Sequence, residues 1–302
     1  MRLLQCSIRR FGNFECSKAE FSTLMPEGDT IFRVAAALHR ALAGRIVTRF
    51  ESVYPAVTRI AEDRPIVGRT VESVAARGKH VLMAFSGDLV LRTHMRMNGS
   101  WHLYRAGEGW KRPARDMRVL VATADVEAVG FNVPVAELLT SRDLARHKEL
   151  RALGPDLLAT SFDAREAIQR MRARNADAVG DVLLNQRVMA GIGNMFKSEI
   201  LFLAGIDPFA PVSALSDAEL ARLVNISREQ LGANVMTRGQ TLRRSTGRTT
   251  TRSLDPNSRL WVYARGGKRC RRCGAPIEAR KTGLDARLTY WCPRCQPARV
   301  DE

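Results

Sequence analysis

Four cysteines in two hooks, Cys270-x-x-Cys273 and Cys292-x-x-Cys295, with eighteen residues between the hooks, carry the most direct chemical signal in the chain. Two hooks at this separation bring four thiolates tetrahedrally around Zn(II), and Gly274 after one hook and Pro293 inside the other supply the turns. Sulfur fills every position, so the ion is a scaffold and has no site for a substrate. It is expected to hold a two-stranded ribbon, Ala275–Trp291, that presents Arg280, Lys281 and Arg287. A second pattern, Gly191-Ile192-Gly193-Asn194, precedes an apolar run. Its glycines permit a tight turn, and a helix starting there exposes unpaired N–H groups that suit a phosphate, with the Asn194 amide as a further donor. The same turn also serves as a plain helix–helix connection, so its weight comes from its company.

Charge says what these elements are for. The 302 residues carry 48 Lys and Arg against 31 Asp and Glu, a net +17. Between Arg238 and Arg299 there are 16 basic residues and three acidic ones, so most of the excess sits in the last fifth of the chain. A field this concentrated suits a polyanion, because each phosphate neutralised releases condensed counterions. Nucleic acid is the expected partner. The longest apolar stretches, such as Ile200–Ile206, are too short to span a bilayer. Residues 1–24 are interrupted by Arg9, Arg10, Glu15, Lys18 and Glu20 and do not read as a secretory signal, so the expected location is the cytoplasm. The five histidines form no ligand cluster in the sequence, and Cys6 and Cys16 have no evident partners.

The elements that must position this chemistry can be read in outline. After Pro26 the residues Ile31, Val34, Ala35, Leu38 and Leu42 share one helical face, with Asp29 as a cap and Gly44 as the stop. Short strand-like runs follow at Arg45–Val53, Thr70–Ala76, Val81–Phe85, Leu89–Thr93, Val119–Ala122 and Glu127–Phe131, which suggests a sandwich or barrel. Ala136–Leu153 reads as a domain boundary. Helices are expected at Ala178–Gln186 and Met195–Leu203, and the capping box Ser216-x-x-Glu219 opens a third. Thr237–Asn257 is polar and lacks a hydrophobic period, so it reads as a flexible loop.

Four segments stand in a telling order: Met25-Pro26-Glu27-Gly28-Asp29-Thr30, Arg77-Gly78-Lys79-His80, the run from Gln186 to Asn194, and the cysteine module. In these the chain resembles the formamidopyrimidine-DNA glycosylase/endonuclease VIII family, from Met25 to about Gln296. Pro-Glu-Gly and the closing Tyr290-Trp291-Cys292-Pro293 look more like the endonuclease VIII branch. The resemblance implies an α+β multidomain fold. Residues 26–138 would be a catalytic β-sandwich domain flanked by helices, and 150–236 a helix-two-turns-helix DNA-binding domain. Residues 237–260 would be a flexible basic loop and 261–296 the zinc finger, while 1–25 would be a leader, non-native or removed.

The same resemblance assigns roles. Pro26 matches the family's nucleophile, a secondary amine that attacks the sugar C1′, expels the base and leaves an imine link. Glu27 matches the acid that protonates the ribose ring oxygen. Lys79 matches the lysine of β-elimination and backbone contact, and Asn194 the phosphate-binding asparagine. Arg287 matches the finger arginine tied to δ-elimination and the phosphate beside the lesion. A flipped base leaves a gap in the stack. The turn that should fill it, His94-Met95-Arg96-Met97-Asn98-Gly99, departs from the Gln-Leu-Tyr of endonuclease VIII. Met97 is its apolar candidate, and Arg96 could bond the orphaned base. At Ala152 some members carry an arginine.

The implied function is a bifunctional DNA glycosylase and abasic-site lyase of base excision repair. It would excise oxidised bases, pyrimidines favoured, from damaged double-stranded DNA by β,δ-elimination, as a monomer with one structural Zn(II) and no organic cofactor. Two alternatives stay open: a relative that prefers oxidised purines, and a non-catalytic, zinc-stabilised DNA-binding protein. The second follows if the leader is kept, because an acylated proline nitrogen is a planar amide with no usable lone pair. The catalytic reading therefore expects the active chain to begin at Pro26.

Overall fold

The apolar residues at helical spacing after Pro26 do form a helix. In the computed structural model, α1 (Gly28–Leu42) buries Ile31, Val34, Ala35, Leu38 and Leu42 on one face, and Gly44 follows it at a φ of +77° that a side chain would strain. The structure describes residues 26–235, 247–251, 253, 255–283 and 286–299. The leader 1–25, with Cys6 and Cys16, and residues 237–246, 252 and 254 of the expected loop lie outside them. Asp29 is not the cap. It sits inside the first turn, and Glu27 occupies the cap position, where its carbonyl accepts from Ile31 N–H but its side chain makes no bond to its own helix.

The sandwich is built from two four-stranded antiparallel sheets. Strand β1 (Arg49–Ser52) leads into helix α2 (Pro55–Asp63), and β2 (Val71–Arg77), β3 (His80–Phe85), β4 (Leu89–His94), β5 (Ser100–Arg105), β6 (Met117–Ala122), β7 (Val126–Phe131) and β8 (Val135–Leu139) follow. One sheet runs β1-β6-β7-β5 and the other β2-β3-β4-β8. Alternation puts Val81, Met83 and Phe85 of β3 against Val119 and Val121 of β6 in a shared core, closed by α1. Trp101, fully buried, donates from its indole to Thr93 Oγ1 at 3.2 Å. Leu120, Val129, Phe131 and Tyr104 point to the other face and pack under Trp110. The stretch read as a boundary begins with β8, which pairs with β4, so the sandwich extends to Leu139. There Arg92, buried on β4, holds Glu137 of β8 (2.5 Å) and Glu149 of α4 (Lys148–Arg151), which follows α3 (Ser141–Arg146).

Helices α5 (Ala164–Arg172), α6 (Val179–Leu184), α7 (Asn194–Ala204) and α8 (Asp217–Val235) share a second core. Asp163 caps α5 by accepting from Arg165 and Glu166 N–H. The box at α8 is formed, with Ser216 N–H donating to Glu219 at 2.8 Å and Glu219 N–H to Ser216 Oγ at 3.3 Å. Nearly every residue of α7 is buried, as expected of a helix that neighbours contact on all sides. One of those neighbours is the finger ribbon, β9 (Glu278–Thr282) paired with β10 (Arg287–Trp291). Residues 247–251 were expected to belong to a flexible loop, yet Arg248 and Thr250 are buried. Hydrogen bonds to both domains hold them there, a cause no sequence period reveals.

Candidate active site

The segment that carries Pro26 and Glu27 is locked into the Gly191-Ile192-Gly193 turn. Gly28 N–H donates to Gly191 O at 2.8 Å, and a Cβ on Gly28 would lie 2.8 Å from Gly191 Cα. A Cβ on Gly193 would lie 2.3 Å from Glu27 Cδ. Gly191 itself takes a φ of +117°. The buried Glu27 carboxylate accepts from Met195 N–H on Oε1 (2.8 Å) and from Gly193 (2.9 Å) and Phe196 (3.3 Å) N–H on Oε2. A negative group at a helix N-terminus meets both the unpaired donors and the positive end of the dipole. This corrects the expectation that the start of α7 is open to a phosphate: Glu27 already takes those N–H groups. The glycines serve the approach of the N-terminal segment.

Lys79 stands in the turn between β2 and β3. Its position is fixed by Gly78, at a φ of +57°, whose N–H donates to Asp156 at 2.6 Å. Burial pushes the Lys79 ammonium down to about 8; Glu27 pulls it back up, and Arg287 and Arg248 push it further down. Arg287 opens β10 opposite Thr282. It also presses on the buried Lys197 of α7, held by burial at about 8, whose Nζ donates to Thr289 Oγ1 at 2.6 Å. Asn194 opens α7 and donates one amide hydrogen to Leu288 O at 2.9 Å, which ties the helix to the ribbon. The Asn194 side chain also hydrogen-bonds Tyr263.

One cavity of about 770 Å³ collects these groups. Pro26, Glu27, Lys79, Asn194 and Arg287 line it together with Arg96 and Met97, so residues from all three modules face the same space. Its rim is the Met95–Gly99 turn, closed by Gly99 N–H to Met95 O at 2.9 Å. Met95 is buried, whereas Met97 is 61% exposed and Arg96 adopts a φ of +45°. Ile46 and Val67 are about as exposed, so what distinguishes Met97 is its place on the cavity wall. Of the other ribbon cations, Arg280 is occupied, with its guanidinium 3.8 Å from the centre of the Phe209 ring. Lys281 is exposed.

In the finger, the Sγ atoms of Cys270, Cys273, Cys292 and Cys295 all lie within 4.8 Å of one another. Two pairs are 3.9 Å and 3.4 Å apart. Zn–S bonds of about 2.3 Å in a tetrahedron put sulfurs about 3.8 Å apart, so the four residues fit one structural Zn(II). No other cluster of metal-ligating side chains occurs among the described residues, and among them no helix is long and apolar enough to cross a membrane.

Comparison with known proteins agrees with this geometry module by module. Residues 25–134 match the formamidopyrimidine-DNA glycosylase N-terminal domain, 153–246 its H2TH domain, and 267–298 the zinc finger found in FPG and IleRS. The chain belongs to the formamidopyrimidine-DNA glycosylase/endonuclease 8 family. Among its relatives is a probable endonuclease 8 2 of Streptomyces coelicolor, 41% identical over 90% of this chain and 94% of that protein. The DNA-(apurinic or apyrimidinic site) lyase Nei2 of Mycolicibacterium smegmatis is 37% identical over 91% of this chain and its own full length. Escherichia coli endonuclease 8 is 33% identical over 90% of this chain and all of its own. The fold is that of Lactococcus lactis Fpg, solved in complex with DNA containing an abasic site (TM-score 0.76, 24% identity, 90% of this chain and all of that one). The chain is thus a DNA repair enzyme of the glycosylase and abasic-site lyase class.

Within this family frame, several residues that hold the site together escape sequence reading. Gln186 donates to Leu184 O and Ile192 O and accepts from Gly191 N–H, which fixes the glycine turn. Glu199, fully buried on α7, accepts from the N–H groups of Trp261, Val262 and Tyr263, each at 2.8 Å, and so seats the chain entering the finger. Asp29 and Arg248 form a buried ion pair beside Glu27. The one available signal was the presence of Lys197 and Glu199 inside an otherwise apolar helix, since buried charges need partners.

Proposed function

We propose that the chain excises oxidised bases, pyrimidines in preference, from duplex DNA through an imine on Pro26, and nicks the strand by β,δ-elimination. The observation that carries this reading is the convergence of an amine-bearing terminus candidate, a carboxyl group, a lysine, an asparagine and an arginine on one cavity. In the proposed sequence the Pro26 nitrogen lone pair attacks C1′, the glycosidic bond breaks, and the base leaves with the bonding pair. The ammonium so formed on Pro26 passes its proton by way of Glu27 to the ring oxygen, the C1′–O4′ bond breaks with its pair going to that oxygen, and the pair freed on nitrogen closes the C1′=N iminium, while the departing base takes a proton from water. A neutral Lys79, favoured by the burial that holds it near 8, takes a C2′ proton as the 3′ phosphate leaves. Arg287 and the Asn194 amide at the cavity wall offset phosphate charge, with Arg287 serving the second elimination. Met97 enters the space of the extruded base, and Arg96 meets its partner.

The mechanism requires a free secondary amine at Pro26. Support comes from the N-terminal domain match, which begins at residue 25, and from relatives whose full length aligns with about nine-tenths of this chain. Duplexes bearing one oxidised pyrimidine, one oxidised purine or an undamaged site test the reading through free-base release and denaturing gels of the ends. Release from the pyrimidine lesion first, with phosphate at both new ends, is expected. Faster purine release would reverse the preference, and binding without release on every duplex would leave only a DNA-binding protein.

A further inference from the structure

The N-terminal turn has a second fastening besides Glu27, and it comes from a strap bonded to α7 and α8 of the helical domain. The strap 247–251 is anchored there twice: Thr249 and Asn234 of α8 exchange two hydrogen bonds of 3.0 Å, and the Thr250 hydroxyl donates to Glu199 of α7. From this strap Arg248 reaches across to the first turn of α1. Its Nε donates to both Asp29 oxygens (2.8 and 3.1 Å), and its Nη2 donates to Asp29 Oδ1 (2.8 Å) and Thr30 Oγ1 (2.7 Å). Nη1 lies 3.9 Å from Glu27 Oε1. The Arg248 and Asp29 side chains are 3% and 0% exposed, and Arg248 is not among the residues lining the cavity.

A buried ion pair adds little net stability over a well-packed apolar pair. What this one supplies is direction, since a planar guanidinium fork on a carboxylate fixes angle as well as distance. That matters at this place. Chain ends fray unless tied down, and a nucleophile must be held in near-attack geometry to react. Asp29 is three residues from Pro26.

We propose that Arg248 is a positioning residue for the Pro26 nucleophile: acting through Asp29, it clasps the first turn of α1 to the helical domain and holds Pro26 and Glu27 in the cleft. The inference rests on the reading of Pro26 as nucleophile.

The test is single-turnover borohydride trapping on an abasic duplex at saturating enzyme, in the form of the chain that traps. Arg248→Ala, Arg248→Lys and Asp29→Asn are compared with the parent for trapping rate, DNA affinity, zinc content and melting temperature. Arg248→Ala should trap on the order of 10²-fold more slowly, the effect of a small misplacement of a reacting group, with affinity and zinc unchanged. Methylguanidinium added to that variant should restore part of the rate. Arg248→Lys keeps the charge without the fork and should fall between. A parental trapping rate at saturation in Arg248→Ala overturns the proposal, as does a rate loss that weaker binding accounts for in full. Should Arg248→Ala not fold, Asp29→Asn decides alone: slower trapping supports the clasp and a parental rate overturns it. Failure of the parent to trap at all removes the Pro26 reading and this inference with it, whereas unchanged variants remove only this inference.

Discussion

Replacing Glu27 by Gln separates two functions that the structure places on one carboxylate. Its two oxygens accept three backbone N–H groups at the start of α7, at 2.8, 2.9 and 3.3 Å. A glutamine fits the same space but has one oxygen; turned either way, it sets its NH2 against at least one backbone donor. A buried donor left unmet costs about 1–3 kcal/mol, and the lost charge at a helix N-terminus adds roughly 0.3–1 kcal/mol. The sum, roughly 1–4 kcal/mol, lowers the melting temperature by about 2–4 °C per kcal/mol in a protein of this size class. The chemical effect is separate. If Glu27 protonates the ring oxygen before the base leaves, base release from an intact lesion falls on the order of 10²–10⁴-fold, while nicking of a preformed abasic site suffers less. Single-turnover rates on both substrates, well below the melting transition and at saturating enzyme, read the two effects apart. Equal losses on the two substrates would refute the acid role, and an unshifted melting temperature would refute the capping role.

Other perturbations follow from the same geometry. Strand nicking should rise with pH through a midpoint near 8 and level off above it, because Lys79 can accept a proton only once it has lost its own and burial holds it near that value. A Lys79→Ala variant that keeps this limb while borohydride trapping is unaltered would contradict it. Arg287→Ala should retain zinc, lower the slope of log affinity against log salt by about one unit, and shift products from δ- toward β-elimination ends. Because Arg280 rests on Phe209, only partial compensation from Lys281 is expected. Removing Arg287 also lifts a cation off Lys79, so the nicking limb moves to higher pH; an unchanged limb with unchanged ends would make Arg287 a surface charge. Cys270→Ser should lose zinc and lesion affinity together while the sandwich stays folded, and full metal content by elemental analysis would refute the four-cysteine site.

Much of this was legible in the sequence, and the reasons are physical. Six strands showed as short apolar runs bounded by turn residues, even where β4, β6 and β7 bury successive positions and do not alternate, and the cysteine hooks because metal geometry fixes spacing. Strand β5, Ser100–Arg105, was hidden because its buried residues include Ser100 and His102 beside Trp101, which breaks the apolar alternation. Helix α2 buries only Val57 fully and so shows no stripe. Val135–Leu139 looked like a boundary because it is an edge strand with partly exposed positions. The candidate site residues were named from motif order, yet their interlocking was not readable. Glu27 caps a helix that starts 167 positions further on, and Arg248 pairs with Asp29 across 219 residues. Long-range polar contacts of that kind leave no local period.

The central claim is that Pro26, as a free N-terminal amine, is the nucleophile. Borohydride trapping on an abasic duplex, run on chains whose translation begins at Met1 and at Met25 and followed by peptide mass analysis of the adduct, tests it most directly. The account predicts one covalent adduct on N-terminal Pro26 in the Met25 form, and none on any chain in which Pro26 is still acylated. An adduct mapped to Lys79, or one on a species that retains the Met25–Pro26 bond, would contradict it.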